Sequence, residues 1–191
     1  LDTGDPAWPL VLPMVKSAVR AMDAVQSFMG KDLDPPHPIE RFVLTGASKR
    51  GWTTWLTAAV DRRVVAIAPC VFDVLNLGPQ MKRQIEYYGR YSEAIQEYTD
   101  FGIQGRIDTP RGQELLQIVD PYEYREALTL PKLIILGSGD QYWTVDAANL
   151  YFHDLRGENY IRYEPNADHG IENSMPSYLA LASFYHKVLR R

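Results

Sequence analysis

The stretch RRVVAIAPCV, residues 62–71, constrains the fold of this chain more than any other. It is a run of apolar β-formers with no polar residue at every second place. A strand with one wet face alternates, so an unbroken run reads as a strand covered on both sides, the pattern of a parallel sheet. Three further segments read as strands around it: RFVLTG (41–46), PKLIILGSGD (131–140) with its Gly-Ser-Gly turn, and ENYIRYEPNADHG (158–170) with its loop.

Helical patterns separate the strands. From Val11 to Met29 the apolar residues Val15, Ala18, Val19, Met22, Val25, Phe28 and Met29 recur at helical spacing. Pro9 and Pro13 stand early, where a helix tolerates them, and Gly30 is the expected stop. KRGWTTWLTAAV (49–60), VDAANLYFHDL (145–155) and SYLALASFYHKVLRR (177–191) are read as further helices. Strands alternating with helices predict an α/β domain spanning 1–191, with right-handed crossovers. Residues 73–127 stand apart. They are rich in Tyr, Glu, Gln and Arg, carry no buried-strand signal, and are expected to form a helical cap insert over the C-terminal edge of the sheet. Open α/β sheets bind their ligands at that edge.

At 191 residues the chain is long enough for one substantial core. A net charge of −4, with both signs interleaved, excludes the basic stripe of a nucleic-acid partner. No apolar run reaches the length of a membrane span. The single cysteine, Cys70, rules out an internal disulfide and a cysteine metal cluster, and is expected to be inert core. The four histidines show no H-E-x-x-H or similar pairing, so neither a metal nor another cofactor is expected. The opening LDTGDPAWP has neither an initiator Met nor a signal sequence, and suggests a piece of a longer protein.

The chemistry gathers at FVLTGASKRGWTTWL, residues 42–56. A strand, then Gly46-Ala47-Ser48, then a helix is the context of a nucleophile elbow. Such a turn lifts a serine hydroxyl off the sheet and aims backbone N–H groups at a developing oxyanion. The pattern departs from G-x-S-x-G, because the second glycine arrives one residue late, at Gly51, behind Arg50. A serine before a helix is also an ordinary N-cap. The partners separate the two readings: an acid and then a histidine should follow, each at the C-terminal end of a strand. Asp140 follows LIILGSG and His169 follows YIRYEPNAD, in that order. His169 would take the proton from Ser48, and Asp140 would hold the imidazole in the required tautomer.

Other residues have alternative readings. Asp73, after the second strand, is a second candidate for the acid. Asp146 reads as a first-turn helix acid and Asp168 as a loop-ordering residue. Lys49 would supply one oxyanion N–H. Its side chain and that of Arg50 either favour an acidic substrate or are solvated and paired with glutamates of the insert. Trp52 and Trp55 should pack the helix on the sheet, whereas Tyr142 and Trp143 are candidates for lining a substrate pocket. Tyr87, Tyr88, Tyr91 and Tyr98 would form either a lid or a small core of the insert's own.

GASKRGWTTWL, LGSGDQYW and LYFHDLRGENYIRYEPNADHG together resemble the PhoPQ-activated pathogenicity-related protein family across nearly the whole chain. The resemblance implies the C-terminal part of an α/β-hydrolase fold, an extracytoplasmic (periplasmic or secreted) location, and a Ser-His-Asp triad at Ser48, His169 and Asp140. A serine hydrolase of ester or peptide bonds follows, with a small-molecule or peptide substrate. The alternative is a secreted binding or signalling protein with little catalysis, because the family includes autocrine proliferation repressors. A weaker similarity is to glucuronoyl and other carbohydrate esterases, which carry a basic residue after the nucleophile. A whole α/β-hydrolase has more strands before the nucleophile than this chain holds. The missing N-terminal half, or a covering chain, is therefore expected against an exposed edge at RFVLTG.

Overall fold

The computed structural model describes residues 1–171 and 174–190. Four parallel strands form one sheet in sequence order: β1 (Phe42–Ala47), β2 (Val64–Cys70), β3 (Lys132–Gly137) and β4 (Asn159–Glu164). Helices α1 (Val11–Ser27) and α2 (Lys49–Val60) cover one face, and α6 (Met175–Leu189) covers the other. The strands show why the apolar runs lack alternation. In β3, Ile134 and Leu136 point into the cluster that holds Trp55 of α2, while Leu133 and Ile135 point into the cluster that holds Phe184 of α6. Both faces are dry, so both phases of the two-residue period must be apolar.

The exception is Lys132, which is fully buried in β3. Its ammonium donates to the carbonyls of Leu130 and Arg156 and to Asn159 Oδ1, so its charge is hydrogen-bonded, with no ion pair among the described residues. Burial pushes its pKa down to about 8.

Two predicted helix boundaries are corrected. Gly30 does not end the first helix, because α1 runs on through a π-helical turn, Phe28–Asp32, before Leu33 turns extended. Pro35 and Pro36 lie just beyond and cannot continue it. The predicted helix over 145–155 is two 3₁₀ turns, Ala147–Leu150 and Phe152–Asp154. Tyr151 breaks it with φ −149°, and its buried hydroxyl donates to Asp73 at 2.6 Å. A continuous helix would not deliver that phenol to the core. The closing helix, read over 177–191, forms as Met175–Leu189: it starts two residues earlier, stops before Arg190, and Arg191 lies outside the described residues.

Among the described residues β1 is an edge strand, paired on one side to β2 alone. Phe42, Val43 and Leu44 are only half-buried, and Thr45 is exposed. A cavity of about 360 Å³ lies along it, lined by Met14, Leu44, Thr45, Arg50 and Thr57 of α1, β1 and α2. Among the described residues no helix is long and apolar enough to cross a membrane.

Between β2 and β3 the chain forms α3 (Leu77–Tyr88), α4 (Gln96–Asp100) and α5 (Pro110–Val119), with short 3₁₀ turns between and after them. The segment does not close on a core of its own. Ile95, Ile107 and Leu116 belong to the same buried cluster as Trp55 and Ile134, and Tyr91 and Tyr98 pack against it. Tyr87 and Tyr88 are exposed. The buried carboxylate of Asp120 fixes the segment. It accepts from the backbone N–H groups of Leu77 at 2.7 Å, Tyr122 at 3.0 Å and Asn76 at 3.2 Å, and burial raises its pKa to about 6. Asp120→Ala orphans three donors and is expected to cost about 3 kcal/mol or more in urea unfolding. Glu123→Ala, at an exposed position, should stay within about 0.5 kcal/mol of the parent. Equal effects would mean that the carboxylate is not the anchor.

Candidate active site

Parallel pairing brings the four strand ends to one edge. Ala47 stands opposite Cys70, and Gly137 opposite Glu164. Ser48 is the first residue past β1 and the last before α2. Its backbone, at φ 55° and ψ −126°, lies in a region that side chains other than glycine rarely adopt, and its side chain makes no capping hydrogen bond. Ser48 is therefore not serving as an N-cap. Such a conformation costs about 1–3 kcal/mol and persists only where its surroundings impose it. Here its N–H donates to the carbonyl of Cys70 at 2.9 Å, and its carbonyl accepts from Trp52 N–H at 3.0 Å.

The two glycines explain the altered motif. A Cβ on Gly46 would lie 2.6 Å from the carbonyl oxygen of Arg50, so the strand end and the first helical turn touch backbone to backbone. A Cβ on Gly51 would lie 2.9 Å from Phe72 Cβ and 3.0 Å from the Cys70 carbonyl. The close approach to β2 falls at residue 51 rather than 50, which leaves position 50 free for arginine. Arg50 lines the cavity beside β1.

His169 and Asp140 meet across the loops that leave β4 and β3. The imidazole Nδ1 stands 2.8 Å from Asp140 Oδ2, with both side chains largely buried. Asp140 Oδ1 accepts from Tyr142 N–H at 2.8 Å, so both carboxylate oxygens are engaged. The other imidazole nitrogen, Nε2, is buried without a hydrogen-bond partner among the described residues. An imidazole whose Nδ1 is held by a carboxylate and whose Nε2 is free is oriented to accept a proton at Nε2.

The loops carrying this pair are closed on each other. Gly139 N–H donates to the Ala167 carbonyl, Ser138 N–H to the Glu164 carbonyl, and Asn166 N–H to Ser138 Oγ. A Cβ at Gly137 would lie 2.5 Å from the carbonyl oxygens of both Ala167 and Asp168, which accounts for the small residues of LGSGD. Asp168 shapes this loop, its Oδ1 accepting from Gly170 N–H at 2.8 Å.

Asp73, the other candidate acid, is engaged elsewhere. It is buried against Tyr151, and burial raises its pKa to about 7 despite the phenol's hydrogen bond. Asp146, read as a first-turn helix acid, stands just before the 3₁₀ turn Ala147–Leu150 and makes no side-chain cap; it pairs with Arg83 at 2.6 Å and accepts from Tyr87. Cys70 is buried, and burial pushes its thiol pKa up. Tyr142 lies over His169 with ring centroids 4.0 Å apart. Trp143 packs against the main core, and its indole nitrogen is unpartnered among the described residues. Trp55 is fully buried beneath α2. Trp52 stacks on Phe72 and donates to the Val119 carbonyl.

Sequence reasoning missed the residues that hold this arrangement from the side. Gln141 Oε1 accepts from His169 N–H at 3.1 Å, and Gln84 of α3 donates to the Tyr142 carbonyl at 2.9 Å. Gln84 also accepts from Ser92 N–H, while Ser92 Oγ donates to the Gln141 carbonyl. A glutamine in a polar helix reads as a surface residue, and nothing local marks Gln84 as buried.

The pattern of one protein family matches residues 1–191, the entire chain. The chain belongs to the PhoPQ-activated pathogenicity-related protein family. It is 41% identical over 172 residues to autocrine proliferation repressor protein A of Dictyostelium discoideum, covering 89% of this chain and 34% of that protein. The chain thus spans about a third of the length of this relative. Among solved structures it resembles an acetyl xylan esterase from Paenibacillus sp. R4, with TM-score 0.71 and 17% identity over 97% of this chain and 55% of that one. It also resembles the acylaminoacyl peptidase of Pyrococcus horikoshii, with TM-score 0.65 and 20% identity over 90% of this chain and 27% of that one. The fold is that of the α/β-hydrolases.

The raised pKa of Asp73 has a measurable consequence. Between about pH 4 and 7 the folded protein holds a proton on this carboxyl that the unfolded chain releases. That contribution to stability is present in acid and lost as pH rises through 7. Unfolding of the parent and of Asp73→Asn in urea, at pH 5 and pH 8, isolates it. The parent is expected to lose about 2 kcal/mol more than the variant between the two pH values. Parallel losses would show an ionised Asp73 throughout.

Proposed function

We propose that the protein is a serine hydrolase of ester or peptide bonds, working through an acyl-enzyme on Ser48. The observation that carries this reading is the His169–Asp140 hydrogen bond at 2.8 Å beside an unpartnered Nε2, on the same sheet edge as a strained serine. In this mechanism Ser48 Oγ attacks the substrate carbonyl and His169 Nε2 takes its proton. Asp140 stabilises the imidazolium. The proton then passes to the leaving group, and a water activated by the same imidazole releases the acid. The backbone N–H of Lys49 serves as one oxyanion donor, as the residue after the nucleophile does in α/β-hydrolases.

The second donor, in this reading, comes from strands and loops that pack along the open flank of β1. Residues 73–127 act as the cap, with Tyr142 and Trp143 as lining of the substrate pocket. We read the location as extracytoplasmic, on the family's link to pathogenicity. A small ester or peptide is the substrate class favoured by neighbours that are esterases and peptidases. One observation favours a second reading, a secreted signalling or binding protein without turnover: the relative at 41% identity is named as a proliferation repressor.

A fluorophosphonate probe applied to the full-length protein separates the two. Rapid labelling is expected, abolished in Ser48→Ala and slowed roughly 10³-fold or more in His169→Ala and in Asp140→Asn. A folded protein that takes no label would favour the binding reading.

A further inference from the structure

Lys49 follows Ser48 directly and opens α2, so its side chain leaves the backbone at the nucleophile itself. Its ammonium lies 3.1 Å from Glu97 on α4, and both side chains are more than half exposed. The phenols of Tyr98 and Tyr142 stand within electrostatic reach of the same ammonium, and the Glu97 carboxylate raises its pKa. Tyr142 in turn lies against His169 at 4.0 Å. Tyr142 thus lies against His169 and within electrostatic reach of this cation. The neighbouring cation does not share the place, because Arg50 lines the cavity along β1. Arg83 is held by Asp146.

We propose that Lys49 selects substrates that carry an anionic group, a carboxylate in particular, and that Glu97 occupies this cation only until such a group displaces it. The inference rests on the serine-hydrolase reading for its chemistry, though not for its binding step. An exposed ion pair contributes little to folding, so exchanging one carboxylate for another at Lys49 costs little. A compact ammonium with rotatable donors suits a carboxylate approaching from solvent. Glu97 belongs to the segment between β2 and β3. Displacing it would remove one tie between that segment and the elbow, coupling recognition of the anion to access.

Hydrolysis of two probes by the full-length protein tests this: 4-nitrophenyl hemiglutarate, which is anionic, and 4-nitrophenyl butyrate, which is neutral. The reading is the ratio of their kcat/KM values. Lys49→Met is expected to lower the anionic-to-neutral ratio about fivefold, and Glu97→Gln to raise it by a similar factor. Both shifts should shrink at high salt. A ratio that stays the same in both variants would overturn the proposal and leave the hydrolase reading intact. Calorimetric binding of the hemiglutarate to the Ser48→Ala protein supplies the arm that needs no turnover. Adding Lys49→Met should weaken it about fivefold, and unchanged affinity overturns the proposal whether or not the protein hydrolyses esters.

Discussion

Parallel pairing is the constraint from which the rest of this molecule follows. Four strands run in one direction with no reversal, so every one of them delivers its following residue to the same edge. Ser48, Asp73, Asp140 and His169 come from loops 20 or more residues apart in sequence, yet all leave that edge. The cost of such a sheet is that both faces must be covered, and the apolar phases of β2 and β3 meet it with α2 on one side and α6 on the other.

Position alone does not fix how these side chains are held, and two local devices do so. At the elbow, Gly46 and Gly51 let the end of β1, the first turn of α2 and the end of β2 approach at distances no side chain would permit. That approach holds Ser48 in a conformation it would not otherwise keep. Where Asp140 and His169 meet, the loops after β3 and β4 are tied together by three backbone-centred hydrogen bonds before either side chain is considered. The segment between β2 and β3 adds support through Gln84 and Ser92, which grip the carbonyls of Tyr142 and Gln141. The pairing of His169 with Asp140 therefore rests on backbone geometry more than on the strength of one hydrogen bond.

Much of this was legible in the residues, for identifiable reasons. Unbroken apolar runs report a two-faced sheet, and β1 and α2 fall within a residue of their predicted bounds because Gly46 to Gly51 punctuates the change of period. The order of serine, acid and histidine marked the residues that the structure brings to one edge, including the pair that touches. What was not legible depended on distant contacts. Residues 145–155 carry a helical pattern, yet Tyr151 leaves it for a hydrogen bond to a residue 78 positions away. Asp140 is the first choice for the acid in sequence and Asp73, after the second strand, the alternative. Only packing shows that a phenol engages one and an imidazole the other. The late glycine looked like a defect in the motif, whereas it marks where α2 meets Cys70 and Phe72.

The His169–Asp140 hydrogen bond is the claim on which the proposed chemistry stands, and proton NMR of the full-length protein tests it most directly. An imidazole proton shared with a buried carboxylate should appear far downfield and exchange slowly with water. The account predicts one such resonance, lost in Asp140→Asn and kept in Asp73→Asn. A resonance that survives Asp140→Asn and disappears in Asp73→Asn would contradict it, and would assign the acid to the other strand.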